Sequence, residues 1–301
     1  MINDISGLRH ITVLARDAGA VDTFYTRALG QRRVKRTVNP DAPGMVQLCY
    51  GDETGMPGSV TTCLPFPDIA RARRGVGEVG HVAYAVPVDA LDDWARRYRG
   101  ARRDTLFGED RLHLTGPDGE AILLVASDEG VAQPWEGILD PTIAPRGLHS
   151  VSLRVASGEA MEELLRLLGA AALDTEGRVT RYRLGEGGAT ILDLDRRPDM
   201  PRAMPGGGSI HRVAFAVPDE AALNAARGVL LTAEYEVTPV IDRHYYQAFY
   251  LHAPGGMVFE IATRGPGYTL DEPVETLGEA VCLPPDQETS RGILERELAF
   301  L

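Results

Sequence analysis

One short strand-like phrase recurs four times along the 301 residues, starting near residues 8, 79, 148 and 210, at intervals of about 60 to 70 residues. The copies are Arg9-His10-Ile11-Thr12-Val13, Gly80-His81-Val82-Ala83-Tyr84, His149-Ser150-Val151-Ser152-Leu153 and His211-Arg212-Val213-Ala214-Phe215. Each alternates apolar with small or polar residues, the period-two pattern of a strand with one covered face. Val82, Tyr84 and Val86, like Val213, Phe215 and Val217, mark the face that helices cover. The opposite face carries His10 and Thr12, His81 and Ala83, Ser150 and Ser152, and Arg212 and Ala214, which makes it a cleft face.

A helix signal follows the phrase. Asp17 caps a run in which Val21, Phe24, Tyr25, Ala28 and Leu29 recur at helical spacing before Gly30. Ser157 precedes Met161, Leu164, Leu165 and Leu168 with a stop at Gly169, and Asp219 precedes Ala222, Leu223 and Ala226. Turn-bounded strands come next, such as Met45–Tyr50 and Ser59–Leu64, or Ala248–Leu251 and Met257–Ala262 around Pro254-Gly255-Gly256. The expectation is an α+β chain of four βαβββ modules over residues 1–75, 76–140, 141–205 and 206–265, with a tail over 266–301 and a last helix near Glu288–Glu297. Pro141–Arg146 and Met200–Gly208, rich in Pro and Gly, read as linkers, and Gly206-Gly207-Gly208 within the second lacks the lysine and the strand-loop-helix setting of a phosphate loop.

Composition removes several function classes. A net charge of -12 repels phosphate backbones and anionic lipid, so nucleic acid and membrane surfaces are not expected partners. No apolar run approaches the ~20 residues of a membrane span. Met1–Ser6 carries no secretory signal, so a cytoplasmic address is expected. The three cysteines, Cys49, Cys63 and Cys282, show no paired spacing, so any metal is left to histidine and carboxylate. Two paired barrels suffice for a monomer, while the tail and sheet edges serve a homodimer equally well.

Four such modules, with histidine opening the first strand and glutamate in the last, resemble the vicinal oxygen chelate superfamily of glyoxalases and extradiol dioxygenases. Gly7 to Thr12, Leu29 to Asn39, Val237 to Arg243 and Gly255 to Thr263 are similar to the hydroquinone-type ring-cleaving dioxygenases. The resemblance implies two open barrels, module one pairing with four and module two with three. It also implies Fe(II) held by two histidines and a glutamate, a facial triad that leaves room for a phenolate oxygen and dioxygen.

His10 and Glu260 match two of those ligands. The family carries a His-His pair at both first strands, its second member the ligand, whereas this chain has Arg9-His10 and His211-Arg212. Strand phase puts Arg212 at the ligand position, and a guanidinium has no lone pair to give. His211 completes the set only if a β-bulge turns its ring into the cleft. Glu260, in an apolar strand, needs a cation, either iron or an ion pair with Arg212. Tyr250 and Arg243 match pocket residues of the family, suited to donate a proton and to steady an anionic oxygen.

In the second barrel His81 and Ser150 hold the corresponding positions, and Leu123 falls near the equivalent of Glu260, which leaves no metal set there. His113, His244 and His252 lack a paired spacing, although His244 adjoins Arg243 and can rim the pocket. The leading expectation is ring cleavage of a small hydroxylated aromatic or quinone with Fe(II) and dioxygen. The alternative is a metal-free relative that binds, sequesters or isomerises an aromatic or anionic molecule, with Arg212 in place of a ligand. A glyoxalase-like isomerase with a four-ligand divalent site lacks enough placed carboxylates.

Overall fold

The computed structural model describes residues 1–39, 41–130 and 134–297. Module one runs β1 (Leu8–Ala15), α1 (Ala18–Asp22) continued by a π-helical turn to Ala28, β2 (Arg32–Asn39), β3 (Ala42–Gly51) and β4 (Val60–Pro65). Module two has β5 (Glu78–Val86), α2 (Leu91–Arg97), β6 (Arg103–Leu106), β7 (Glu109–Thr115) and β8 (Ala121–Ala126). Module three has β9 (Leu148–Val155), α3 (Glu159–Leu167), β10 (Ala171–Glu176), β11 (Val179–Arg183) and β12 (Ile191–Arg196). Module four has β13 (Ile210–Val217), α4 (Glu220–Thr232), β14 (Ile241–Asp242), β15 (Tyr246–His252) and β16 (Val258–Pro266). The tail ends in α5 (Arg291–Glu297). No helix among the described residues is long and apolar enough to cross a membrane.

Local chemistry accounts for most helix ends. Asp17 and Asp219 accept hydrogen bonds from the Ala20 and Ala222 amides, as N-caps should. Ser157 does not cap α3; it stands one residue too early, and Gly158 takes the cap position without a side-chain bond. The 200–208 segment bridges alongside residues 71–76, so it is a paired strap more than a free linker.

The alternation puts Ile11, Val82, Val151 and Val213 into the core, where Tyr25, Trp94, Leu164 and Leu230 from the four helices cover them. Each such side chain contributes about 1.5–3 kcal/mol by leaving water.

Module one joins four through antiparallel β1 and β13, and module two joins three through antiparallel β5 and β9. Parallel pairing then sets β4 beside β1, β16 beside β13, β8 beside β5 and β12 beside β9. The result is two half-barrels, linked into one mixed open sheet where Ile210 meets Val79. Both central pairings slip register twice, at Arg9 and His211 in the first and at Gly80 and His149 in the second.

The tail is fastened to module one by Lys35, fully buried, which donates to Asp271 at 2.7 Å and to Glu272. Truncating the lysine strands a buried carboxylate. Lys35→Ala is therefore expected to cost about 3–5 kcal/mol in urea denaturation, while Arg96→Ala, on a solvent-exposed pair, moves stability by no more than about 1 kcal/mol.

Candidate functional site

Register builds the site from three strand pairings. His10 lies opposite Ala214, Ala214 beside Glu260, and Glu260 opposite Tyr250, so one row crosses β1, β13, β16 and β15. Arg212 stands one step along the same face of β13, opposite Thr12 and beside Val258. His10 Nε2 is 3.4 Å from Glu260 Oε2, and both side chains are buried. The Tyr250 hydroxyl reaches Glu260 Oε1 at 3.4 Å and accepts from Arg243 Nε at 2.7 Å. Arg243 also donates to Asp41 at 2.6 Å, and Arg212 approaches the other Asp41 oxygen at 3.9 Å. Both guanidiniums lie over the Tyr250 ring, at 5.4 and 4.9 Å from its centre.

The tautomer of His10 follows from its neighbour. Arg9 Nη1 lies 3.1 Å from His10 Nδ1, and a guanidinium only donates, so Nδ1 accepts and the ring proton of neutral His10 sits on Nε2. That proton points toward Glu260. Arg9 is itself immobilised by the Thr263 carbonyl at 2.8 Å and by the Tyr246 ring beneath its guanidinium, 3.9 Å away.

Burial holds the His10 imidazolium pKa below its ordinary value against the pull of Glu260, so the ring is neutral at neutral pH. Burial alone would raise Glu260, but His10, then Arg212 and Arg9, outweigh it and keep the carboxyl below the usual range. The Tyr250 phenol is raised, first by burial and then by Glu260, and stays protonated.

Among the sequence-predicted residues, His10, Glu260, Tyr250, Arg243 and Arg212 come together. His211 does not. A bulge does occur at His211, yet its ring remains exposed, lining a groove with His252, while Arg212 is the one that stands on the cleft face. The direct Arg212–Glu260 ion pair is not formed either: among the described residues the carboxylate that comes within 4 Å of Arg212 is that of Asp41, at 3.9 Å, and Glu260 acts on the guanidinium from farther away. Arg243 pairs with Asp41, and Asp242 instead accepts from the His244 amide. His113 is tied to Asp104, and His244 lies 3.7 Å from Asp271 at the tail.

Sequence reasoning missed Arg9, Asp41 and Asp193. Leu123 sits beside Ala83 in module two, and Asp193 beside Ser152 in module three, as Glu260 sits beside Ala214, so both hold the Glu260-equivalent position and Asp193 is the one that supplies a carboxylate to the second barrel. The alternation Ile191-Leu192-Asp193-Leu194 carries that signal.

Comparison with known proteins places this geometry. The chain is 34% identical to MhqO of Bacillus subtilis (strain 168), named as a candidate ring-cleaving dioxygenase, over 99% of this chain and 97% of the relative. It is 32% identical to the chlorohydroquinone/hydroquinone 1,2-dioxygenase of Sphingobium indicum, covering 98% and 96%. The chain belongs to the hydroquinone-type ring-cleaving dioxygenase family of the vicinal oxygen chelate superfamily. A crystal structure of a candidate dioxygenase from Bacillus subtilis superposes with a TM-score of 0.93 at 32% identity, covering 98% of this chain and 97% of that one. Maize glyoxalase I, at 15% identity and a TM-score of 0.63 over 86% of this chain and 92% of its own, shares the fold. No family model matches the chain.

The family's iron meets a donor set here that does not fit it. Glu260 Oε2 has only the 3.4 Å approach of His10 Nε2 and makes no well-formed hydrogen bond, but the third ligand position holds a guanidinium and the facing nitrogen of His10 carries a proton. The only other ligand-type cluster found among the described residues, Asp271, Glu272 and Cys282, already surrounds the Lys35 ammonium.

Because the folded Glu260 pKa lies below its ordinary 4.5, the stability it lends is complete above that pH and is lost as pH falls through the lower folded value. The wild type is expected to exceed Glu260→Gln by about 3 kcal/mol at pH 7, and urea denaturation at stepped pH should show the gap closing below 4.5.

Proposed function

We propose that the cleft between modules one and four binds a small hydroxylated aromatic or quinone through its oxygens, without a metal, and holds a bound phenol as its phenolate. One observation carries this reading: apart from Glu260 and Asp41, the polar groups that converge there are donors, namely His10 Nε2–H, the Tyr250 hydroxyl and the Arg212 and Arg243 guanidiniums. An acceptor-rich ligand is the complement of such a set.

The charges agree with the donors. Three guanidiniums, of Arg9, Arg212 and Arg243, face two carboxylates, Glu260 and Asp41, and His10 is neutral, which leaves one positive charge for an anion. Arg243 donates to the Tyr250 oxygen, so the phenol hydrogen points away from it, onto Glu260 at a long 3.4 Å, and a ligand oxygen would compete with Glu260 for it. Glu260, held below the usual carboxylate range, is a weak base. The set therefore binds and polarises an oxyanion in preference to abstracting protons.

The second reading is iron-dependent ring cleavage with dioxygen, favoured by Glu260 Oε2, which makes no well-formed hydrogen bond, and by the names of the relatives. In it, His10, Glu260 and a third group would hold Fe(II), which would supply a binding point for a phenolate and for dioxygen.

Two measurements separate them. 4-Nitrophenol bound to chelator-treated protein is expected to ionise about one pH unit or more below free 4-nitrophenol, an advantage that Arg212→Ala removes. Protein purified without oxygen and supplied with Fe(II) is expected to retain almost none, while Arg212→His gains iron. About one iron per wild-type chain, lost in Glu260→Ala, or release of 4-nitrophenol by chelator, would replace the first reading by the second.

A further inference from the structure

A cavity of about 720 Å³ opens in the cleft of modules two and three, the counterpart of the donor-rich cleft across the pseudo-twofold. Its floor repeats the first site's register. His81 lies opposite Ser152, and Ser152 beside Asp193, as His10 lies opposite Ala214 and Ala214 beside Glu260. The chemistry differs because Arg181 stands opposite Asp193 where Tyr250 stands opposite Glu260. Arg181 forks onto both Asp193 oxygens at 2.8 and 2.9 Å, so that carboxylate is saturated. His81 Nε2 has no hydrogen-bond partner, and burial, then Arg111 and Arg154, hold its pKa down to about 3, so the ring is neutral.

The walls are short of negative charge. Arg154, Arg178 and Arg197 share Asp195, at 3.8, 3.6 and 2.7 Å, and one carboxylate does not neutralise three guanidiniums even though Arg154 also reaches Glu78. Arg102 and Arg111 likewise share Asp104, each at 2.9 Å. Five arginines and four carboxylates line the cavity, an excess of one positive charge. Gly80 is part of the construction: a Cβ there would lie 2.8 Å from Arg154 Nη2, so the glycine lets the guanidinium lie against the strand. Leu123, clustered with Ala83 and Val125, gives the cavity an apolar patch among these charges.

We propose that this second cavity is a binding site for a small aromatic monocarboxylate, its carboxylate taken by the guanidiniums around Asp195 and its ring laid against Leu123 beside His81. Saturation of Asp193 makes it a binding site and not a second reacting centre. The ligand complements the features in turn: one negative charge for one unmatched cation, two acceptor oxygens for forked donors, and a flat apolar body for the patch.

Benzoate is the probe, with inorganic phosphate and phenol as the anion without a ring and the ring without a carboxylate. Calorimetry is expected to give benzoate a dissociation constant of about 1 mM or tighter and both comparators at least about tenfold weaker binding. Benzoate should shift the His81 ring resonances, identified by their loss in His81→Asn, and leave those of His10 in place. Leu123→Trp, which fills the patch, and Arg197→Gln, at a side chain 30% exposed and so outside the core, should each weaken benzoate about tenfold or more. Neither should alter the ionisation of 4-nitrophenol in the first cleft, so the two proposals fail separately. Benzoate that leaves His81 unmoved, shifts His10 instead, binds no better than phosphate, or binds Arg197→Gln as tightly as wild type would overturn the assignment.

Discussion

Antiparallel pairing of the modules' first strands is the constraint from which both clefts follow. Once β1 lies against β13 and β5 against β9, the parallel partners β4, β16, β8 and β12 have one place each, and every cleft-facing residue is assigned a row. The two register slips in each pairing fall at equivalent positions, Arg9 with Gly80 and His211 with His149. A bulge adds a residue to one strand and re-aims its neighbours without moving the rest of the ladder. In the first barrel one bulge frees Arg9 to reach His10 Nδ1 and Thr263. In the second the matching glycine yields its space to Arg154. The same backbone device thus serves two different charge patterns.

Alternation is a local property, which is why the two faces of each strand are legible in the amino-acid sequence. His10, Arg212, Tyr250 and Glu260 all fall on the cleft side as period two requires, while the sharing of that cleft by modules one and four is what the family resemblance implies. What alternation does not carry is the offset between strands of different modules. Leu123 on β8 and Asp193 on β12 hold the same register position in modules two and three, and only the pairing of those modules shows that Asp193 shares the cleft with His81. Asp41 is hidden from alternation for a related reason, since it sits in the turn after β2 and meets Arg243 across 202 residues of chain. His211 shows the limit of a bulge argument: the bulge exists, but a bulge leaves open which of two adjacent side chains is turned inward, and Arg212, with charged and aromatic partners waiting, is the one that enters.

Both barrels bury a carboxylate at the equivalent row, and each must compensate it, since an unpaired charge at that depth costs several kcal/mol. The second barrel does so locally, with Arg181 forked onto Asp193. The first divides the compensation between His10, which faces the carboxylate directly, and two arginines. Arg9 acts behind His10, and Arg212 acts through the field, its guanidinium beyond ion-pair distance of Glu260. Histidine at position 212 would end near the carboxylate and offer it a shared metal ion. Arginine is longer, and its guanidinium comes within 3.9 Å of Asp41 instead.

That displacement sets how the first cleft meets a ligand. Asp41 is 54% exposed and holds Arg243 at 2.6 Å and Arg212 at 3.9 Å, so water and salt screen the pairs and each is worth little. An entering oxyanion competes with Asp41 for the same two guanidiniums, and it does so from the buried side, where screening is weaker and the Tyr250 hydroxyl adds a further donor. Glu260 opposes entry by repulsion, but Arg9 and Arg212 already offset its charge. In the proposed binding mode the balance therefore favours exchange of the solvent-facing carboxylate for an interior oxyanion.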